Sequence, residues 1–280
     1  MAEITTSPVQ TVSAPRPSRV LPSLVIGLAA LVFVSWLLNT PEGVLGKADA
    51  VGYAICHRID GRSFHLGDRQ LPLCARCTGI YLGVLLGIVT LGVMGRARWG
   101  ALPPRPLIVA LLGLIAVMGF DGVNSYLALF PGLPHLYEPQ NWLRLITGTF
   151  NGLAIGALIY PVFNQTLWKD WQPRPALANF RELLLLAGLA LVVIGLVLSE
   201  NPVVLYPLAL LSALGVVVLL TMLDAIILLI LVRRENRAER WTGALLPLLA
   251  GFTLAMLQIG LVDALRFAIF RSWGGFPLPG

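Results

Sequence analysis

Long apolar blocks alternate with short polar segments along almost the whole chain. A membrane-spanning helix needs about 20 predominantly apolar residues, and seven blocks approach or exceed that length. These blocks are Leu21–Leu38, Thr78–Met94, Leu107–Phe130, Leu143–Phe163, Leu183–Ser199, Val203–Val232 and Gly243–Phe270. The pattern predicts an all-α, polytopic integral membrane bundle of seven transmembrane helices.

Composition supports this fold class and argues against a nucleic-acid-binding protein. Hydrophobic residues make up 57% of the 280 positions and charged residues only 12%, against about 25% charged in soluble domains. So few charges cannot cover a water-soluble particle of this size, so the lipid bilayer is the expected surroundings. The net charge of +6 does not indicate nucleic-acid binding, because the basic residues lie between apolar blocks, where they orient a membrane protein.

The chain divides into three regions. Residues 1–20, rich in Pro, Ser and Thr, are too polar to form a core and predict a disordered cytoplasmic tail. The first apolar block is long for a signal peptide and lacks an A-x-A cleavage site, so it predicts a signal anchor. A four-span region, 21–163, contains nearly all the unusual chemistry. A three-span region, 164–280, is mostly Leu, Val, Ala and Gly.

The distribution of Lys and Arg predicts the orientation. Twelve of the 20 basic residues lie in the tail and in the loops after the second, fourth and sixth spans, whereas the other side has six, five of them in or near one long loop. Cytoplasmic loops carry the excess of Lys and Arg. The N-terminus is therefore expected in the cytoplasm, and the long loop 39–76 outside it.

The three cysteines of the chain lie in this long loop or directly after it. Cys74 and Cys77 form a C-x-x-C pair, which projects two thiolates towards one point, as tetrahedral zinc requires. Cys56, eighteen residues earlier, can return to the same point. His57 or His65 would then complete a set of three cysteines and one histidine around zinc.

The helical geometry of the loop favours one histidine over the other. If Ala48–His57 is a short helix, the adjacent side chains of Cys56 and His57 diverge by about 100°. His65 is then the better fourth ligand. A c-type haem is excluded, because Thr78 stands where the histidine after the second cysteine would be.

Two other interpretations of the cysteines stay open. Thiols outside the cytoplasm tend to oxidise, so a disulfide with one thiol left over, or three unligated thiols, would also fit. A membrane thiol–disulfide oxidoreductase using Cys74 and Cys77, with Cys56 as resolving thiol, is the corresponding alternative function.

Polar residues inside spans are costly in hydrocarbon and are functional candidates by default. With the predicted orientation they gather in the leaflet that adjoins the cysteine loop. They are Arg76, Tyr81, Asp121, Asn124, Asn141, Arg144, Thr147, Asp263 and Arg266.

All of these residues except Asn141 and Thr147 are predicted to line one polar pocket beside the metal site. Arg76 and Arg144 would hold an anion, and Asp121 would be a candidate base. Asp121 and Arg144 are expected within salt-bridge or one-water reach, with span seven closing the same cavity and bringing Asp263 or Arg266 towards the cysteines. Buried ion pairs that only pin helices together are the structural alternative.

The leading hypothesis is an extracytoplasmic zinc site whose pocket binds or modifies a lipid-borne or small anionic substrate. A transporter with a midplane carboxylate site is a further alternative. Whether the protein is an enzyme stays open at this point.

The strings CH at 56–57, RSF at 62–64 and LCARCTGIYLG at 73–83 resemble a family of bacterial and archaeal predicted membrane proteins with a domain of unknown function. The resemblance extends over residues 45–163, through Asp121-Gly122 and the segment 141–148. It implies a prokaryotic plasma-membrane location and directs attention to these residues. It implies no activity.

The charge distribution makes a direct prediction about topology. A reporter fused after Arg98 should be active on the cytoplasmic side, and one inserted near Gly61 on the exterior, because the loops alternate in basic residues. Alkaline phosphatase and fluorescent-protein fusions would measure this. The reverse result at either position would contradict the orientation.

Overall fold

The seven predicted spans are confirmed as long apolar helices in a computed structural model, which describes residues 20–130 and 132–276. Residues 1–19 of the predicted tail lie outside the described residues. The elements are α1 (Val20–Asn39), α2 (Gly43–Ile55), β1 (His65–Leu66), β2 (Arg69–Gln70), α3 (Ala75–Val93), β3 (Trp99–Ala101), α4 (Arg105–Leu127), α5 (Asn141–Leu167), β4 (Gln172–Pro175), α6 (Phe180–Leu198), α7 (Pro202–Leu231) and α8 (Trp241–Phe270).

The short helix predicted over Ala48–His57 runs instead over Gly43–Ile55. It ends one residue before Cys56, which has an extended backbone and donates its N–H to the Gly52 carbonyl. Cys56 and His57 therefore follow the helix, and helical geometry does not set the directions of their side chains.

Helix α5 lies at the centre of the bundle. It packs against α3, α4, α6 and α7. Within an apolar stretch of 18 residues, 67% of the α5 residues are buried, compared with 11% in α1. Helix α8 packs against α7, α1 and α2 on another side of the bundle. The exposed apolar faces of the outer helices are those expected to meet lipid.

Glycines allow α3 and α5 to approach closely over several turns. Two series of glycines, four residues apart in each helix, face backbone of the other helix, because small residues let helix backbones come close. The series are Gly79, Gly83 and Gly87 on α3, and Gly148, Gly152 and Gly156 on α5. The helices run parallel, so their first turns lie side by side.

The two ends of the bundle differ. One end, called here the cysteine end, contains α2, the β1–β2 hairpin, the first turns of α3 and α5 and the last turn of α8. At the opposite end, β3 and β4 pair in parallel, and Arg96 forms a double salt bridge with Glu182 at 2.6 and 2.8 Å. These contacts hold the loops after α3 and α5 together.

The glycine contacts predict a position-dependent effect of added methyl groups. In Gly152→Ala the new Cβ would overlap the Ile80 carbonyl, so we expect a loss of about 1–3 kcal/mol of stability. Gly188→Ala, on the open face of α6, has nothing within 4 Å and should unfold at the same temperature as the wild type or higher. Thermal unfolding of both purified variants in detergent would check this, and equal losses would contradict it.

Candidate metal centre and arginine cluster

Three chain segments bring the cysteines together at the cysteine end. Cys56 follows α2, Cys74 precedes α3, and Cys77 lies in the first turn of α3. Gly52 in α2 touches the segment before Cys74 so closely that a Cβ there would overlap the Pro72 carbonyl. This approach sets the distance between the two segments.

The three sulfur atoms lie within 4.8 Å of one another and could hold a metal ion. The thiols are unbridged, and Cys56 and Cys74 are buried. The Sγ atom of Cys56 also accepts backbone N–H groups from Cys74 at 3.3 Å and Arg58 at 3.5 Å. The set of three convergent sulfurs, one of them already accepting N–H groups, is suited to a thiophilic metal.

The thiols also influence one another strongly. Hydrogen bonds from Cys74 and Cys77 lower the pKa of Cys56 well below its usual range, although burial opposes this. The hydrogen bond to Cys56 raises the pKa of Cys74 to about 12.

Neither predicted histidine ligand joins the cluster, which contains only the three cysteines in the part of the chain that the structure describes. His57 Nδ1 accepts the Ile59 N–H at 2.9 Å. The β1–β2 hairpin holds His65 next to Asp60, with 2.9 Å between Nε2 and Oδ1. Among the described residues, the group that could hold a metal ion is therefore the three cysteines without either histidine.

Arg266 of α8 reaches the cysteine loop, as predicted for span seven. Its Nη1 donates to the carbonyls of Tyr53 at 2.5 Å and Cys56 at 2.7 Å, at the C-terminal end of α2. The guanidinium lies between the rings of Tyr53 and Phe276, 4.0 and 4.3 Å from their centres. These contacts use the favourable field of a helix C-terminus and make Arg266 a support for the loop.

Asp121 forms its direct salt bridge with Arg76 and not with Arg144, so of the predicted salt-bridge or one-water contact the direct form is absent. Asp121 also accepts hydrogen bonds from Tyr137 at 2.7 Å and Thr147 at 3.2 Å. Both carboxylate oxygens have partners and the side chain is only 2% exposed. These contacts indicate that Asp121 orients the Arg76 guanidinium.

Two other predicted pocket residues have structural contacts. Asn124 donates to the Tyr137 carbonyl at 2.9 Å and accepts the Leu136 N–H at 2.7 Å, so it fixes the loop between α4 and α5. Tyr81 packs with the apolar side chains around Cys56.

Three arginines gather beside the cysteines with one carboxylate among them. Arg62 and Arg144 are buried, yet neither pairs with an acidic group among the described residues. Asn141 connects them, since it accepts from Arg144 Nη1 at 2.7 Å and donates to the Gly61 carbonyl, next to Arg62, at 3.3 Å.

The electrostatics of this group, the arginine cluster (Arg62, Arg76 and Arg144), confirm that the charges share one region. Burial lowers the pKa of Arg62, and the charge of Arg76 lowers it further. Burial also lowers the pKa of His57, and all three guanidinium charges act in the same direction against the opposing effect of Cys56. Arg62 belongs to the RSF string at 62–64 but was not predicted as a pocket residue, because it precedes the spans and has no helical spacing to the other arginines.

Asp263 lies apart from the arginine cluster, so the single predicted pocket is two separate places. Its Oδ2 accepts the Trp36 indole N–H at 3.1 Å, and it lines a groove between α1 and α8. Span seven therefore supports the cysteine loop through Arg266, but its carboxylate does not face Asp121.

Comparison with known proteins assigns this chain to a family but not to a characterised protein. The model of a family described as predicted membrane protein, DUF2085, matches residues 56–158. An uncharacterised protein of Methanocaldococcus jannaschii is 32% identical over 124 residues, which cover 44% of this chain and 72% of the relative. The chain belongs to the DUF2085 family. A second uncharacterised relative, from Methanothermobacter thermautotrophicus, is 31% identical over 106 residues, covering 37% of this chain and 83% of that protein.

The DUF2085 match begins at Cys56 and ends within α5, so it contains the three cysteines and the arginine cluster. Asp263 and Arg266 lie beyond it. No solved structure matches the chain. The family is one of predicted membrane proteins without an assigned activity, and its name adds no ligand.

The buried Asp121–Arg76 pair makes a prediction about stability. Asp121→Asn keeps the shape but leaves Arg76 without its counter-charge, so we expect a loss of about 3–5 kcal/mol. Asp170→Asn is the matched control, because Asp170 pairs with Arg98 at the exposed opposite end and should cost less than about 1 kcal/mol. Unfolding of the detergent-solubilised variants would measure both. Equal stability of Asp121→Asn and wild type would contradict a supporting role for Asp121.

Proposed function

We propose that this DUF2085 protein binds a phosphate-type anionic group at its extracytoplasmic face, beside a zinc ion held by Cys56, Cys74 and Cys77. The observation that carries the proposal is the arginine cluster, with three guanidinium groups and one carboxylate next to three convergent thiols. The anion is either part of a lipid or a small free molecule.

Charge balance supports an anionic ligand. Asp121 neutralises one of the three arginines, and a zinc ion with three thiolates would offset a second, which leaves one buried guanidinium charge without a counter-ion in a setting of low dielectric constant. Like charges held close together disfavour one another. A phosphate-type anion would relieve this repulsion and suits the planar, multiple-donor geometry of arginine.

The contacts of the cluster leave donor atoms available for that anion. Arg76 engages Asp121 and Ser125 only through Nη2. Arg144 donates from Nη1 to Asn141, and its Nε has no partner. Asp121 and Asn141 therefore fix the orientation of two guanidinium groups without using all their donors.

The three cysteine sulfurs favour zinc as the bound metal. Three soft thiolates suit zinc, copper(I) or an iron–sulfur cluster, and zinc is the ion whose tetrahedral sites combine three protein ligands with one open position. In sites of that kind the fourth position takes water or a substrate oxygen. The arginine cluster would hold an anion close to that position.

The location of the site follows from the predicted orientation. The basic residues concentrate at the opposite end of the bundle, which favours the cytoplasm for that end and the exterior for the cysteine end. The bound anion would then come from the outer leaflet or from the external solution.

The thiol–disulfide oxidoreductase is the second candidate, because the three sulfurs are also close enough to exchange a disulfide. Metal content and thiol state separate the two. The zinc proposal requires metal in the purified protein and three thiols that become reactive only after chelation, whereas the oxidoreductase requires a disulfide released by reduction.

The metal proposal is tested by ligand removal. We expect about one zinc per wild-type chain, loss of that zinc in Cys77→Ser, and unchanged zinc in His65→Ala, because His65 is paired with Asp60 away from the cluster. Elemental analysis of protein purified without added metal would measure this. Loss of zinc in His65→Ala would contradict the ligand set.

The anion proposal is tested by binding. Calorimetry of the metal-loaded protein would use inorganic phosphate and a soluble short-chain phosphatidic acid, which separate a free anion from a lipid headgroup. We expect Arg62→Gln to weaken binding of the preferred anion at least about tenfold, the effect of losing a charge-assisted hydrogen bond. Arg234→Gln, at the exposed opposite end, should have no effect.

One outcome would overturn the anion proposal while preserving the metal site. If the arginines serve only to neutralise the thiolates, Arg62→Gln would lower zinc affinity and neither anion would bind the wild type.

A further inference from the structure

A groove of about 900 Å³ runs between α1 and α8, separate from the arginine cluster. Its inner part is apolar and includes Leu28, Leu31, Leu257 and Leu261. Gly260 lies on one wall, and the nearest atom that a Cβ there would meet is Trp36 Cδ1 at 3.7 Å. The groove has the shape and lining for a hydrocarbon chain.

Asp263 lines this groove and has one carboxylate oxygen without a partner. The side chain is 3% exposed, and Oδ2 accepts the Trp36 indole N–H at 3.1 Å. Oδ1 is buried and has no hydrogen-bond partner. A buried acceptor without a partner is costly, and more so in hydrocarbon, so the position calls for a ligand hydroxyl or N–H group.

The end of the groove at the membrane surface is polar and basic. Asn39 and Thr40 line it, together with Arg271, which follows the last turn of α8. The Arg271 guanidinium forms neither a hydrogen bond nor a salt bridge with the described residues, and the residue is exposed. A phosphate group would suit this position.

The order of these features along α8 restricts the ligand. Leu257 and Leu261 come first, then Asp263, then Arg271 near the surface. A ligand must therefore present a hydrocarbon chain, then a hydrogen-bond donor, then a phosphate. In ordinary diacyl phospholipids the linkage region carries no hydroxyl. A single-chain phospholipid with a free glycerol hydroxyl has the required order.

We infer that the groove binds a lysophospholipid, with its chain between α1 and α8, its glycerol hydroxyl donating to Asp263 Oδ1 and its phosphate beside Arg271. This site is independent of the zinc and anion proposal, since it shares no residue with the arginine cluster or the cysteines. The groove lies outside the region that matches DUF2085.

The test compares two probes that differ only in the hydroxyl. Full-length detergent-solubilised protein would be titrated with lysophosphatidylcholine and with its 2-deoxy analogue, using native mass spectrometry to count bound lipid. We expect the wild type to prefer the hydroxyl-bearing lipid at least about tenfold, as for a hydrogen bond to a charged acceptor. Equal binding of the two lipids, or binding of neither, would overturn the proposal.

Two matched variants test whether Asp263 causes the preference for the hydroxyl-bearing lipid. Asp263→Asn can still accept from Trp36 but replaces the free oxygen by a donor, so the preference should fall to within about twofold. Asp224→Asn is the control, because Asp224 is also buried with one free oxygen, has Gln258 as its partner at 3.1 Å, and does not line the groove. Retention of the preference in Asp263→Asn, or its loss in Asp224→Asn, would contradict the assignment.

A third variant covers the possibility that Asp263→Asn does not fold. Gly260→Phe keeps the Asp263 carboxylate but fills the groove beside Trp36, so both lipids should bind at least about tenfold more weakly. Undiminished binding to this variant would place the lipid elsewhere.

Discussion

The close parallel contact of α3 and α5 is the constraint on which the cysteine end depends. Glycines at six positions let backbone meet backbone, so the first turns of the two helices are held at one level. Arg76 and Cys77 come from one of these turns and Arg144 from the other. Without the contact, neither the arginine cluster nor its position beside the thiols would be defined.

The arginines around this contact differ in their partners. Asp121 orients Arg76, and Arg266 is satisfied by carbonyl groups at the end of α2. Arg62 and Arg144 keep their charges without an acidic partner. Arg62 and Arg144 have neither an acidic partner nor the set of carbonyl acceptors that Arg266 has, and they are the basis for proposing an anion. The groove at Asp263 is the complementary case, an acceptor without a donor.

The sequence predicted the spans well, because apolar length is a property of each segment alone. It also predicted the convergence of the cysteines and the contact of Arg266 with the loop. It failed where partners depend on helix rotation: Asp121 faces Arg76 instead of Arg144, and Asp263 faces Trp36. His65 was misplaced because the β1–β2 pairing that carries it to Asp60 has only two residues per strand and no distinct sequence pattern. Arg62 was indicated only by the RSF string of the family resemblance and by its position in the same loop as Cys56.

Zinc K-edge X-ray absorption of the purified protein tests the central claim most directly. Three cysteines with one open position predict three sulfur scatterers at about 2.3 Å and one oxygen at about 2.0–2.2 Å. They also predict no outer-shell pattern from an imidazole ring, because His57 and His65 lie outside the cluster. A histidine in the coordination shell, or a protein that contains no metal and has two of its cysteines joined in a disulfide, would contradict the claim.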